Sequence, residues 1–321
     1  MNRQFLKNNK LYKYINLLLR NLIGVFAICF IYIKLKDNFL IGFQKINNAE
    51  INYSLLVVAF LLLFVNWGLE AIKWQYAVRD IQKITVLKAF KLTITGITMG
   101  LLTPNRIGEI PARALLLNKK SFKEITLKTG VASFSQLLIT LFLGAIGLFF
   151  TQHYFIETID ITVWSTFLLT GVLLLFLVYF KVNKLDFIFN KIKFLAEKEF
   201  FKALSDFSSV ELLNMLFISL LRYIVFSVQF YLVLKAFDIS LQSLNDVFLI
   251  PVCFMIASFI PTIIISEIGV RGSVALFVFG TVSDMDVNII LASITLWLIN
   301  VALPALMGLI NLKELKIIKE N

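Results

Sequence analysis

Reactive and metal-binding side chains are almost missing from this chain. Histidine occurs once, at His153, and cysteine twice, at Cys29 and Cys253. Both cysteines sit alone inside apolar runs, without the paired spacing of a zinc site or a disulfide framework. His153 has no Cys, His or paired acid at ligand spacing, so no metal and no other cofactor is expected. No GxSxG, HExxH, phosphate-loop or dinucleotide fingerprint occurs. Charge is scarce too: charged residues are 16% of the 321, against about 25% in an ordinary soluble domain. A soluble catalytic domain is excluded on these grounds, and the chain is not expected to be an enzyme.

Long apolar blocks are what is present, with 59% hydrophobic residues and 32 phenylalanines. About 18 or more apolar residues with few charges make a candidate transmembrane helix. The fold class expected is all-α, a polytopic membrane helix bundle with about six full spans and two broken or re-entrant elements. The first block, Ile15 to Ile33, is too long for a signal-peptide core and lacks a small-residue cleavage site, so it reads as a retained span. Further spans are expected over 53–72, 121–150, 162–180, 208–235 and 287–310.

The net charge is +11. The basic residues fall in short loops beside the apolar blocks, which points to cytoplasmic loops and anionic headgroups rather than to nucleic acid. Arg3, Lys7, Lys10 and Lys13, with no acid among residues 1–14, put the N-terminus in the cytoplasm. Lys313, Lys316 and Lys319 put the C-terminus there as well, in a multi-pass protein of the inner (plasma) membrane. The expected organisation is a tail over 1–13, a membrane domain over 14–312 with halves 14–150 and 161–312, and a tail over 313–321. A Lys-rich linker over 181–208 has apolar residues at helical spacing. It reads as a surface-lying amphipathic helix or as a solvated linker helix. Ser121 with Glu124, and Ser208 with Glu211, read as capping boxes that open two of the spans.

Two segments break the pattern. Leu92 to Leu102 is too short to cross, ends at Thr103-Pro104, and is followed by Arg106, Arg113 and several lysines. It therefore reads as dipping in and returning to the cytoplasmic side. In the last third, Val247 to Ile265 and Gly269 to Val282 are interrupted by Pro251, Pro261 and the polar string Ser266 to Arg271. Each half thus has two spans, a broken element and one more span, and an odd number of spans inverts the second half. Inverted repeats with interrupted helices are a transporter pattern, and the interruptions point to the site. The breaks are assigned to Pro104, Gly108, Pro111, Pro261 and Gly269.

Ionisable groups at membrane depth are costly and face the bundle interior or a partner. Arg106, Glu109 and Arg113 form one such cluster, and Glu267 with Arg271 forms another. Pro111 suits a first helical turn, whose free amides favour a phosphate, and arginine forks bind phosphate oxygens. These residues either pin two kinks as buried Arg–Glu pairs or hold a headgroup. Asn66 and Glu70, at i and i+4, share a helix face, as do Arg222 and Gln229. With Gln136 and Asn300 they serve either interhelical hydrogen bonding or the lining of a pathway.

From Pro104 through Arg106, Gly108-Glu109 and Arg113, the chain resembles the transmembrane, flippase-like region of lysylphosphatidylglycerol synthetases. The stretch from Pro261 through Glu267-Ile268-Gly269-Val270-Arg271 is similar to that family's second motif. Ser133-Phe134-Ser135-Gln136 stands where members often carry Glu-Arg, and Thr262-Ile263-Ile264-Ile265 replaces the usual glycines. The resemblance implies a lipid-moving domain without the synthetase part. It would translocate an anionic or aminoacylated phospholipid, or a lipid-linked headgroup, with membrane lipids as its partners. Two other functions stay open. One is a scaffold or regulator of an envelope-synthesis enzyme, which would then be a protein partner. The other is a membrane-embedded enzyme using Glu109 or Glu267 on lipid phosphates.

Overall fold

A computed structural model describes residues 51–101, 103–155, 161–184 and 203–314. The N-terminal tail, the span expected at 14–33, most of the 181–208 linker and nearly all of the C-terminal tail lie outside the described residues. Among the described residues the chain forms ten α-helices and no strand. They are α1 Tyr53–Val78, α2 Val86–Gly100, α3 Glu109–Leu117, α4 Phe122–Thr151, α5 Ile161–Phe180, α6 Ser209–Ala236, α7 Leu244–Phe259, α8 Ile264–Phe279, α9 Asp286–Trp297 and α10 Leu303–Glu314. Among the described residues, five helices are long and apolar enough to cross a membrane: α1, α4, α5, α6, and α9 running on into α10. These are the five described spans expected from the sequence, and the chain is a multi-pass, all-α membrane bundle. Only 17% of the α5 span is buried, so Phe167, Leu174 and Leu177 on it are left exposed, as lipid-facing side chains are.

α1 is longer than expected. It runs past Ile72 through Lys73 and Trp74, both wholly buried. The span expected to end at residue 72 therefore gives way to a loop only at Arg79. α1 packs antiparallel on α6 along its whole length. The Asn52 amide donates to the Ala236 carbonyl at 3.0 Å, and Arg79 pairs with Glu211 at 2.7 Å at the opposite end. Since α1 and α6 are the second spans expected in the two halves, antiparallel packing between them means that the halves run in opposite directions. The other contacts repeat in the same way, with α4 on α7 in one direction and α10 on α2 in the other.

Both broken elements are hairpins made by one device. A residue before proline is pushed out of the helical region. Thr103 before Pro104 has φ −119° and ψ 152°, and Ile260 before Pro261 has φ −88° and ψ 116°. α2 and α7, with 15 and 16 residues, reach only about 22–24 Å at 1.5 Å per residue. That is short of the roughly 30 Å hydrocarbon core. Two expectations are corrected here. Gly269 is not a break: it lies inside α8, and the whole string Ser266 to Arg271 is helical. The chain interruption precedes it, at 260–263. Ser121 makes no capping hydrogen bond at the start of α4, whereas Ser208 and Glu211 form the full box on α6. Gly108 and Pro111 do flank the start of α3.

Close helix approach depends on glycine where α10 crosses α2. A Cβ on Gly308 would sit 2.6 Å from the Ile94 carbonyl oxygen, and small residues at such crossings let backbones pack. Gly171 on α5 has open space instead. Gly308→Val is therefore expected to destabilise the protein by about 1–3 kcal/mol through overpacking, and Gly171→Val to leave it unchanged. Thermal unfolding of the two purified variants in detergent measures this.

Candidate functional site

The polar side chains converge halfway along the spans. Arg222 stands thirteen residues from the start of α6 and fourteen from its end, roughly 20 Å from either terminus. Asn66 on α1 and Gln136 on α4 sit equally near the middle of their helices. Glu70 is the hub. Its carboxylate takes Lys73 at 2.9 Å, Arg113 at 3.0 Å and Arg222 at 3.3 Å. Arg113 also pairs with Glu109 one turn back on α3. That arrangement needs α3 tight against α2. Gly96 and Gly100 provide it, since a Cβ at either position would meet Arg113 Cγ at 2.7 Å or Glu109 Cβ at 2.9 Å.

The second hairpin supplies a matching pair. Glu267 and Arg271, at i and i+4 on α8, pair at 2.9 Å, as Glu109 and Arg113 pair on α3. The two hairpin tips meet. Asn105 donates its amide to the Thr262 carbonyl at 2.9 Å, and the Thr262 amide donates to Asn105 Oδ1 at 2.6 Å. Arg106 reaches across to Glu267 at 2.8 Å. Asn105 and Arg106 both have left-handed backbone, with φ 47° and 57°. Such a conformation costs about 1–3 kcal/mol per residue and clusters at functional sites. The contacts to Thr262 and Glu267 hold it in place.

A layer of neutral groups lies beside this network. Asn66 donates to Asn300 Oδ1 at 2.8 Å and to Gln229 Oε1 at 3.4 Å. Gln229 in turn donates to the Ala59 carbonyl at 2.9 Å. Arg222 donates to Gln136 Oε1 at 3.2 Å, so an amide stands where the resemblance expected a charged pair. Asn300 lies in a π-helical turn over Leu298–Ala302. Pro304 explains the turn: proline has no N–H and its ring clashes with the carbonyl four residues back. That carbonyl belongs to Asn300, and it accepts the Trp67 indole N–H at 3.2 Å.

These elements form a partly open cavity of about 230 Å³. Asn66, Arg106, Arg222 and Arg271 line it, together with Gln136, Asn300 and an aromatic wall of Phe226, Phe230 and Phe254. The other candidates do not face it. Glu70, Glu109, Arg113, Gln229 and Glu267 stand behind the lining and hold it by ion pairs and hydrogen bonds. At the start of α3, where a phosphate seat was expected, the Ile110 and Ala112 amides already donate to the Ile107 and Gly108 carbonyls, and the Glu109 carboxylate pairs with Arg113. Among the described residues, no group of three or more His, Cys, Asp or Glu side chains is placed to hold a metal ion.

Sequence reasoning missed Lys73, Asn105, Thr262 and Pro304. Lys73 had a usable signal: it sits at i+3 from Glu70 on one helix face. Pro304 had one as well, since an internal proline always frees the carbonyl four residues before it.

The model of one protein family, described as the lysylphosphatidylglycerol synthase TM region, matches residues 19–308. No curated protein and no solved structure gives a significant match.

Glu70→Gln leaves the buried Lys73 and Arg113, and the part-buried Arg222, short of their shared carboxylate. Breaking a buried pair in this way costs about 3–5 kcal/mol, whereas Arg79→Ala on the half-exposed Glu211 pair costs about 0–1 kcal/mol. The expected outcome is a large fall in the unfolding midpoint for the first variant and almost none for the second, read by thermal denaturation in detergent.

Proposed function

The chain belongs to the lysylphosphatidylglycerol synthase transmembrane-region family, and we propose that it moves a polar-headed lipid between the leaflets of the plasma membrane, with both termini in the cytoplasm. The observation that carries this reading is a cavity at mid-span depth, bounded by the meeting tips of two hairpins from oppositely running halves. Many transporters place substrate at the midplane between inverted repeats, against interrupted helices. At about 230 Å³ the cavity is smaller than the roughly 300–1,000 Å³ of pockets for drug-sized molecules. It suits a headgroup while the acyl chains stay in lipid. Arg106, Arg222 and Arg271 hold the headgroup, and Asn66, Gln136 and Asn300 orient it. The clasp of Asn105 with Thr262 and Arg106 with Glu267 parts and re-forms as access alternates.

A hydrolytic or transfer activity finds less support. Glu109 and Glu267 are each held in ion pairs with arginine, so neither stands free to pass a proton to a bound lipid. A scaffold for an envelope-synthesis enzyme needs no internal charged cavity, and the buried charge of this one has a cost that a scaffold would not require.

Reconstitution of the full chain in vesicles tests the proposal. Fluorescent phospholipids of anionic, zwitterionic and aminoacylated headgroup are offered, and transbilayer movement is read by quenching from outside. Movement of at least one class is expected. Arg271→Gln should slow it by roughly tenfold or more, since a hydrogen bond to a charged group contributes about 1.5–3 kcal/mol. The variant should keep wild-type circular dichroism and elution volume. If wild-type protein moves no class, transport is refuted and the scaffold reading takes its place.

A further inference from the structure

Resting on that transport reading, we infer that the headgroup taken up is net anionic, a phosphodiester whose remaining part is uncharged and hydroxylated, and that an aminoacylated, cationic headgroup is rejected. Among the described residues, the cavity wall contains three guanidinium groups, on Arg106, Arg222 and Arg271, and no carboxylate. Arg106 and Arg271 both lean on one oxygen of Glu267, at 2.8 and 2.9 Å. Each guanidinium has five N–H donors, so one carboxylate oxygen leaves most of that capacity unused. Arg106 also lies within electrostatic range of Arg222, which places three like charges around one space.

The charge balance points the same way. Lys73, Arg106, Arg113, Arg222 and Arg271 are served by Glu70, Glu109 and Glu267. Two positive charges are left over, and even with Lys73 counted as neutral one remains. An unbalanced charge among part-buried side chains is costly, so a phosphate entering the cavity relieves the excess and an ammonium group aggravates it. Each of the three carboxylates is already held by at least one arginine.

Aromatic faces are the other means of holding a cation, and those of Trp67, Phe226, Phe230 and Phe254 are engaged. Arg222 lies over the Trp67 ring at 5.0 Å. Phe254 is stacked on Phe226 at 4.6 Å and on Phe230 at 5.5 Å. What remains for the distal part of the headgroup is a set of amides and hydroxyls, Asn66, Gln136, Thr140, Ser293 and Asn300. Such groups pair with alcohols, which gives the hydroxylated class.

Calorimetric titration of the full chain in neutral detergent tests the preference by binding, apart from any transport. The probes are dihexanoyl phosphatidylglycerol, its lysyl ester, dihexanoyl phosphatidylcholine, and glycerophosphoglycerol without acyl chains. Phosphatidylglycerol is expected to bind about tenfold or more tighter than its lysyl ester. Arg271→Gln should weaken phosphatidylglycerol by roughly tenfold while leaving the lysyl ester unchanged or tighter. Equal or tighter binding of the lysyl ester overturns the inference, and if vesicles still show lipid movement the transport reading survives it. Binding of none of the four overturns the inference as well. Tighter binding of glycerophosphoglycerol than of its diacyl form would show a soluble phosphodiester as the ligand and would overturn the lipid part of the claim.

Discussion

Three carboxylates, two of them buried, set among five cations at one depth fix the terms for the rest of this bundle. In a medium of effective dielectric near 20, two unit charges 4 Å apart interact by about 4 kcal/mol, so none of these groups can be placed casually. Glu70 answers the problem by receiving Lys73, Arg113 and Arg222 from three different helices. α1, α3 and α6 are thereby tied at one depth. Glu267 does the same for the far hairpin, taking Arg271 from its own helix and Arg106 from the other half. The apolar packing around these ties, with glycines at the α2–α3 and α2–α10 crossings, lets the charged groups meet without leaving room for lipid between them.

The inverted arrangement follows from the same convergence. Each half contributes a long helix, α1 or α6, whose middle is polar, and a hairpin broken by proline. Because the long helices lie antiparallel, the hairpins approach from opposite ends and their tips meet at Asn105 and Thr262. Glu109 with Arg113 and Glu267 with Arg271 are matched i, i+4 pairs on α3 and α8. The match is not complete. Arg113 is buried behind the cavity wall, whereas Arg271 lines it. The cavity is therefore asymmetric, with its cationic lining drawn from one arginine of the first hairpin, one of the second, and Arg222.

Much of this was legible in the sequence because a charged group in an apolar run is expensive and cannot be accidental. Arg106, Glu109, Arg113, Glu267 and Arg271 announced themselves in this way, and Asn66, Glu70, Arg222 and Gln229 did so by their spacing on helix faces. Other features gave no such contrast. Lys73 sits where the apolar stretch gives way to basic residues and so looked like the loop. Gly269 looked like a break because it lies in a polar string, yet one glycine costs a helix only about 1 kcal/mol, and the packing of α8 absorbs it. Which arginines face the cavity and which stand behind it depends on the close α2–α3 approach, and no local pattern encodes that.

The account stands on the meeting of the two hairpin tips beside the cavity, and disulfide cross-linking in native membranes tests it most directly. In a chain with Cys29→Ser and Cys253→Ser, the pair Asn105→Cys with Thr262→Cys should cross-link readily under mild oxidation. A control pair on the long helices, Ala59→Cys with Gln229→Cys, should do so too. Rapid cross-linking of both pairs is the predicted result. Cross-linking of the control alone would separate the hairpin tips and contradict the central claim.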